Sequence, residues 1–145
     1  MAEKQKILVD TNVILDLLLA RQPFAEGSRE IFLKAVNGEI EIYVTSCSIN
    51  TLVYFIEKNI GYKKTREIIS SFLQIAKCID ITINDIQKAF NNMEITDTED
   101  AIQMQGAIKA GMDFILTRDC NFLNIKTGDV PVLSPSDYLA KYNAM

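Results

Sequence analysis

The chain alternates short apolar runs with amphipathic stretches. Ile7-Leu8-Val9 is a continuous apolar run and reads as a strand buried on both faces, as in parallel sheets. Asp10-Thr11-Asn12 follows. Val13-Ile14-Leu15 and Leu17-Leu18-Leu19 then suit a buried helix that Pro23 ends. A second helix spans about Ala25 to Val36, with Ile31, Phe32, Ala35 and Val36 on one face. Asn37-Gly38 stops it as a left-handed C-cap. Ile40 to Thr45 is a second strand, and Ser46 or Ser48 caps a helix carrying Ile49, Leu52, Val53 and Ile56.

Residues 59–62, with Gly61, predict a turn before a helix of about Lys63 to Ala76, which points Ile68, Ile69, Phe72 and Leu73 inward. Cys78 to Ile83 predicts a third strand. Asn84 then caps a short helix with Ile86, Ala89, Phe90 and Met93. Thr96 or Asp97 opens a helix that Gly111 ends, Phe114-Ile115-Leu116 is a fourth strand, and Val130 to Leu133 suits a fifth. Ser134-Pro135 opens a last helix, since proline fits the first helical turn. Strands separated by helices imply an α/β fold with a mostly parallel central sheet of four to five strands, covered on both faces. With no linker, repeat or low-complexity stretch, residues 1–145 read as a single domain.

Composition narrows the chemistry. There is no histidine, which removes Ser-His-Asp and Cys-His catalysis and His-ligated zinc. Fifteen basic residues against 19 acidic ones leave a net charge of −4, a weak argument against a basic nucleic-acid surface. Cys47, Cys78 and Cys120 are odd in number and far apart, and read as free buried thiols of a reduced compartment. Met1 to Lys6 has no signal-peptide pattern, and Val13 to Ala20, interrupted by Asp16, is too short to cross a membrane. The expected location is the cytoplasm, with no membrane partner.

The acids are placed suggestively. Active sites of open parallel sheets form beyond the carboxyl ends of the strands. Strand one exits into Asp10, and strand four exits through Thr117 and Arg118 into Asp119. The helix before strand four begins with Asp97 and Asp100, three apart and on one face. Each also has a structural reading: Asp10 as a turn or N-cap residue, Asp97 as an N-cap with Asp100 in the favourable first turn, Asp119 as a loop residue. Asp16, within an apolar helix, either bonds a local partner or joins the site. Carboxylates ~5 Å apart repel by about 3 kcal/mol per pair at an effective dielectric near 20. Such a cluster binds a cation or takes up protons. Oxygen ligands from Asp and Asn suit Mg²⁺ or Mn²⁺, and such an ion activates water at a phosphorus centre without histidine.

I-L-V-D-T-N-V-I-L-D at Ile7 to Asp16, T-E-D-A-I-Q at Thr98 to Gln103 and I-L-T-R-D-C-N-F at Ile115 to Phe122 together resemble the PIN-domain family, which includes the VapC-type toxins of toxin–antitoxin pairs. The resemblance covers almost the whole chain. It implies a three-layer fold and a metal-dependent endoribonuclease cleaving single-stranded RNA to 5′-phosphate and 3′-hydroxyl ends. Asp10, Asp100 and Asp119 match its Mg²⁺ or Mn²⁺ ligands, Asp97 is a companion catalytic acid, and Asn12 and Thr117 match supporting polar positions. Many PIN nucleases carry a glutamate early in the helix after strand two. Here Thr51 occupies that position beside Asn50, and Glu57 lies nearly two turns later. This departure motivates an alternative, a catalytically weak or inactive PIN module binding RNA or a protein partner.

Lys58, Lys63, Lys64 and Arg66, with Tyr62, are the densest candidate strip for RNA, against a plain solvated helix start. Arg118 is a further backbone contact. An antitoxin protein is the partner that a VapC-type reading implies. Homodimers are common in the family, with Tyr54, Phe55 and Ile60 as the candidate contact. A haloacid-dehalogenase-type phosphatase, the third class considered, needs a second Asp where Asn12 stands and a downstream lysine that is not suitably placed.

Overall fold

The computed structural model describes residues 3–125 and 129–143; Met1 and Ala2 of the N-terminal stretch read above lie outside them. The elements run β1 Gln5–Val9, α1 Thr11–Leu18, α2 Ala25–Val36, β2 Ile40–Thr45, α3 Ser46–Ile75, β3 Lys77–Ile79, α4 Ile83–Phe90, α5 Thr98–Ala110, β4 Phe114–Leu116, α6 Cys120–Leu123, β5 Val132–Leu133 and α7 Pro135–Asn143. The five strands pair in parallel in the order β3-β2-β1-β4-β5.

That order locates the working edge. The chain builds outward from β1 to β2 and β3, then crosses back to add β4 on the other side of β1. Connections leaving β1 and β4 therefore diverge onto opposite faces, which opens a crevice at the carboxyl ends of these two strands. In register, Val9 sits opposite Leu116. Asp10 and Thr117 therefore step off the sheet side by side.

Strand alternation divides the core into two layers. Ile7 and Val9 point to one face and pack with Val13, Ile14, Leu52 and Phe72 from α1 and α3. Leu8 and Ile115 point to the other, against Met104, Ala107 and Phe122 from α5 and α6. α5 lies close on the sheet at Gly106, where an added Cβ would come within 2.9 Å of Ile81 Cδ1 and 3.4 Å of Thr45 Cγ2. Three layers with an all-parallel sheet are the architecture that the apolar pattern predicted.

Several local expectations needed correction. The third strand stops at Ile79 rather than Ile83, because Thr82 and Asp85 form a reciprocal capping box that starts α4, with Thr82 and not Asn84 as the cap. Thr45, not Ser46 or Ser48, caps α3, its hydroxyl accepting from the Ser48 amide. The break expected at residues 59–62 is present but confined to Gly61, whose φ of +83°, open to glycine, kinks α3 into two helical halves. Leu73, expected inward, is exposed, and so are Val36, Phe90 and Met93. The three cysteines are free as expected, yet all are exposed rather than buried. Among the described residues no helix is long and apolar enough to cross a membrane.

Candidate active site

Asp10 is the first residue beyond β1 and the N-cap of α1. It is nearly buried, and four donors converge on its carboxylate. Oδ1 accepts from the Thr11 amide and from Gln103 Nε2, both at 2.7 Å. Oδ2 accepts from Thr117 Oγ1 at 2.7 Å and from Asn12 Nδ2 at 3.3 Å. Burial raises its pKa above the usual carboxylate value; bonds from Thr117 and Thr11 oppose that rise, and Asp119 and Asp97 add to it.

Thr117, fully buried, is the joint between β1 and β4. Its hydroxyl donates to Asp10 and accepts from Asn12 Nδ2 at 3.2 Å and from the Asp119 amide at 3.0 Å. Asn12 also takes the Arg118 amide on its Oδ1 at 3.1 Å. One hydroxyl and one carboxamide thus fix the loops that present Asp10 and Asp119.

Asp100 sits in the first turn of α5 and is buried. Its amide donates to Asp97 Oδ1 at 3.0 Å, so Asp97 is the helix N-cap, exposed at the mouth. Burial, followed by the charges of Asp97, Asp10, Asp119 and Glu99, pushes the Asp100 carboxyl up to about 7. A position near a helix N-terminus ordinarily favours a carboxylate; here desolvation and four like charges prevail. Asp119 is half-buried and caps α6, its Oδ1 accepting from the Asn121 amide at 3.0 Å.

A cleft of about 280 Å³ unites these groups, lined by Asp10, Asn12, Thr51, Asp97, Asp100 and Asp119 together with Glu99, Gln103, Arg21 and Phe55. The capping roles weighed for Asp10 and Asp97 are both real, and each capping acid also faces the shared cleft. Among the described residues no three or more acids or cysteines stand in a geometry that could hold one metal ion. The acids feel one another's charge without closing into a cage. The donor set is all oxygen, and its mutual repulsion is the kind that a divalent cation relieves.

Two residues escaped the sequence reading. Gln103 donates to Asp10 while its own Oε1 is buried without a partner. Its place one turn after Asp100, on the same helix face, was the available signal. Arg21 reaches the cleft from the loop after α1, and nothing local marked it. Asp16, left open above, is fully buried and bonds both Arg21 and Arg118. Arg118, expected at an RNA backbone, is therefore engaged by Asp16 and lies over the Phe24 ring at 3.6 Å. Lys58, Lys63, Lys64 and Arg66 are exposed on α3, with Lys58 over Tyr54 and with Lys63 and Arg66 over Tyr62. Tyr54 and Phe55 are exposed, and Ile60 is partly covered.

Comparison with known proteins agrees with this geometry. The chain is 27% identical over 145 residues to "Ribonuclease VapC1" of Aquifex aeolicus (strain VF5), covering 97% of this chain and 98% of that protein. Its fold is similar to that of the Mycobacterium tuberculosis VapC20, described as a sarcin-ricin loop cleaving toxin (TM-score 0.65, 14% identity, 80% of this chain and 92% of that one). It is also similar to a chain of a toxin–antitoxin complex from Klebsiella pneumoniae (TM-score 0.63, 20% identity, 89% and 97%). The family model for the PIN domain matches residues 6–121, which take in every acid of the cleft, and the chain belongs to the PIN-domain family.

Proposed function

We propose that this chain is a metal-dependent endoribonuclease of single-stranded RNA and the toxin of a toxin–antitoxin pair, working in the cytoplasm. The observation that carries the reading is the meeting of Asp10, Asp97, Asp100 and Asp119, from three chain segments, in one cleft at the sheet's switch point in a PIN-family chain. The ribonuclease named among its relatives and the toxin–antitoxin complex among its structural neighbours support the substrate and the antitoxin partner.

Asp10, Asp100 and Asp119 would hold Mg²⁺ or Mn²⁺: their oxygen-only chemistry suits such ions, while their spacing in this structure does not form a three-acid cage. When bound, the ion supplies a lowered pKa for water and charge stabilisation at phosphorus. The chain's own residues prepare this. Thr117 and Asn12 orient Asp10 through hydrogen bonds to its Oδ2, and the Thr117 bond favours the carboxylate against the effect of burial. Gln103 holds Oδ1. Asp97, exposed at the mouth, is positioned to orient water.

The test is cleavage of single-stranded RNA with Mn²⁺ by the native protein and by Asp10→Asn. Removal of one preorganised group of this kind typically lowers turnover by about 10²–10³-fold. Equal cleavage by both proteins refutes the assignment. A second reading, a catalytically weak PIN module, is favoured by Thr51 lining the cleft where a carboxylate would complete the acid set. Asp119-dependent Mn²⁺ binding in calorimetry speaks for the enzyme, and its absence for the module.

A further inference from the structure

The wall of the acid cleft carries a cation whose charge the fold does not consume. Asp16 on α1 is fully buried, where an uncompensated carboxylate would be costly. Arg118 forks onto it through Nε at 2.5 Å and Nη2 at 2.9 Å, a bidentate pair that by itself balances the charge. Arg21 then brings a second guanidinium to the same carboxylate, with Nε 2.9 Å from Oδ1. Two guanidiniums against one carboxylate leave one positive charge in surplus.

The surplus sits on the side of the cleft. Arg21 is the more open of the two, with 40% of its side chain exposed against 27% for Arg118, and it lines the cleft with Asp10, Asp100 and Asp119. It is also held at a second point, since Nη2 donates to the Asn12 carbonyl at 3.0 Å. Among the described residues its ion pair is with Asp16 and with none of the cleft acids. An arginine has five N–H groups in a planar fork suited to phosphate oxygens. Asp16 and Asn12 fix two of them. A guanidinium anchored in this way loses little further freedom when it takes an anion.

We propose that Arg21 is a phosphate-binding residue, gripping the RNA backbone beside the acid cluster, with Asp16 as the residue that positions it. The inference rests on the ribonuclease reading above and deepens it. It supplies a cation where the site is otherwise acidic, and it explains why a buried carboxylate in an apolar helix is given two arginines.

The test uses full-length protein carrying Asp119→Asn, which keeps a good N-cap and is expected to leave RNA uncut. Binding of a fluorescent single-stranded RNA is measured across a salt series, alone and with Arg21→Gln or Arg21→Lys added. The expected result is roughly tenfold weaker binding for Arg21→Gln, with the slope of log affinity against log salt shallower by about 0.7. Arg21→Lys is expected to keep the slope and lose part of the affinity. Since Arg118 remains on Asp16, thermal unfolding reports whether Arg21→Gln folds, and the Lys variant carries the test if it does not. Tight RNA binding with an unchanged slope in Arg21→Gln overturns the role of Arg21 alone. Absence of RNA binding in the Asp119→Asn parent overturns the ribonuclease reading and this inference with it.

Discussion

Asp16 and Asp100 are both buried acids, one behind Arg21 in the wall of the cleft and the other lining it, and the fold treats them in opposite ways. Asp16 is enclosed by two guanidiniums and is part of the frame. Asp100 is enclosed by acids, and burial plus four like charges leave its carboxyl at about 7. A buried charge with counter-charges holds loops together. A buried charge among like charges costs stability and persists only where something else is gained. The difference separates the scaffold of this site from its reactive part, although both are aspartates a few residues from a strand exit or helix start.

The strongest way to break the comparison is Asp16→Asn. It removes the shared acceptor of two partly exposed guanidiniums and is expected to cost about 3 kcal/mol in chemical denaturation; a change below about 1 kcal/mol would remove Asp16 from the frame. Thr117→Val comes next. It strips partners from Asp10 Oδ2, Asn12 Nδ2 and the Asp119 amide at once. The expected loss is about 1 to 3 kcal/mol, with weakened cleavage.

Asp100→Asn should act more weakly and in the other direction. A carboxyl whose folded pKa exceeds its unfolded value binds a proton on folding, so its contribution to stability falls as pH rises from about 4, the unfolded value, to about 7. The metal-free native protein is therefore expected to lose stability across that window. Asp100→Asn should flatten this dependence and match or exceed the native protein above it. A denaturation series from acid to mildly alkaline pH checks the sign, and an Asp100→Asn protein that tracks the native curve contradicts it.

The sequence disclosed the frame better than the contacts. β1, α2 and β2 were readable because apolar runs and a Gly cap mark them locally, and the acids were readable because each ends a strand or starts a helix. Thr82 was misread as strand, since its capping partnership with Asp85 outweighs the β-propensity of its neighbours. Exposure of the cysteines depended on which face each element presents, which flanking apolar residues do not determine. Gln103 was missed because its partner Asp10 lies 93 residues away and only the assembled fold brings them into contact. Arg21 bonds back onto α1, to Asp16 and the Asn12 carbonyl, through a turn that no local pattern marked.

The central claim is that the acids of the cleft form a cation site rather than a proton-sharing cluster. Titration calorimetry with Mn²⁺ tests it most directly, on native and Asp100→Asn protein, at about pH 6 and about pH 8, on either side of the raised Asp100 value. The account predicts saturable binding in the native protein, tighter at the higher pH and accompanied by proton release at the lower one, with at least tenfold loss in Asp100→Asn. Equal binding by the two proteins, or no binding by the native protein at either pH, would contradict it.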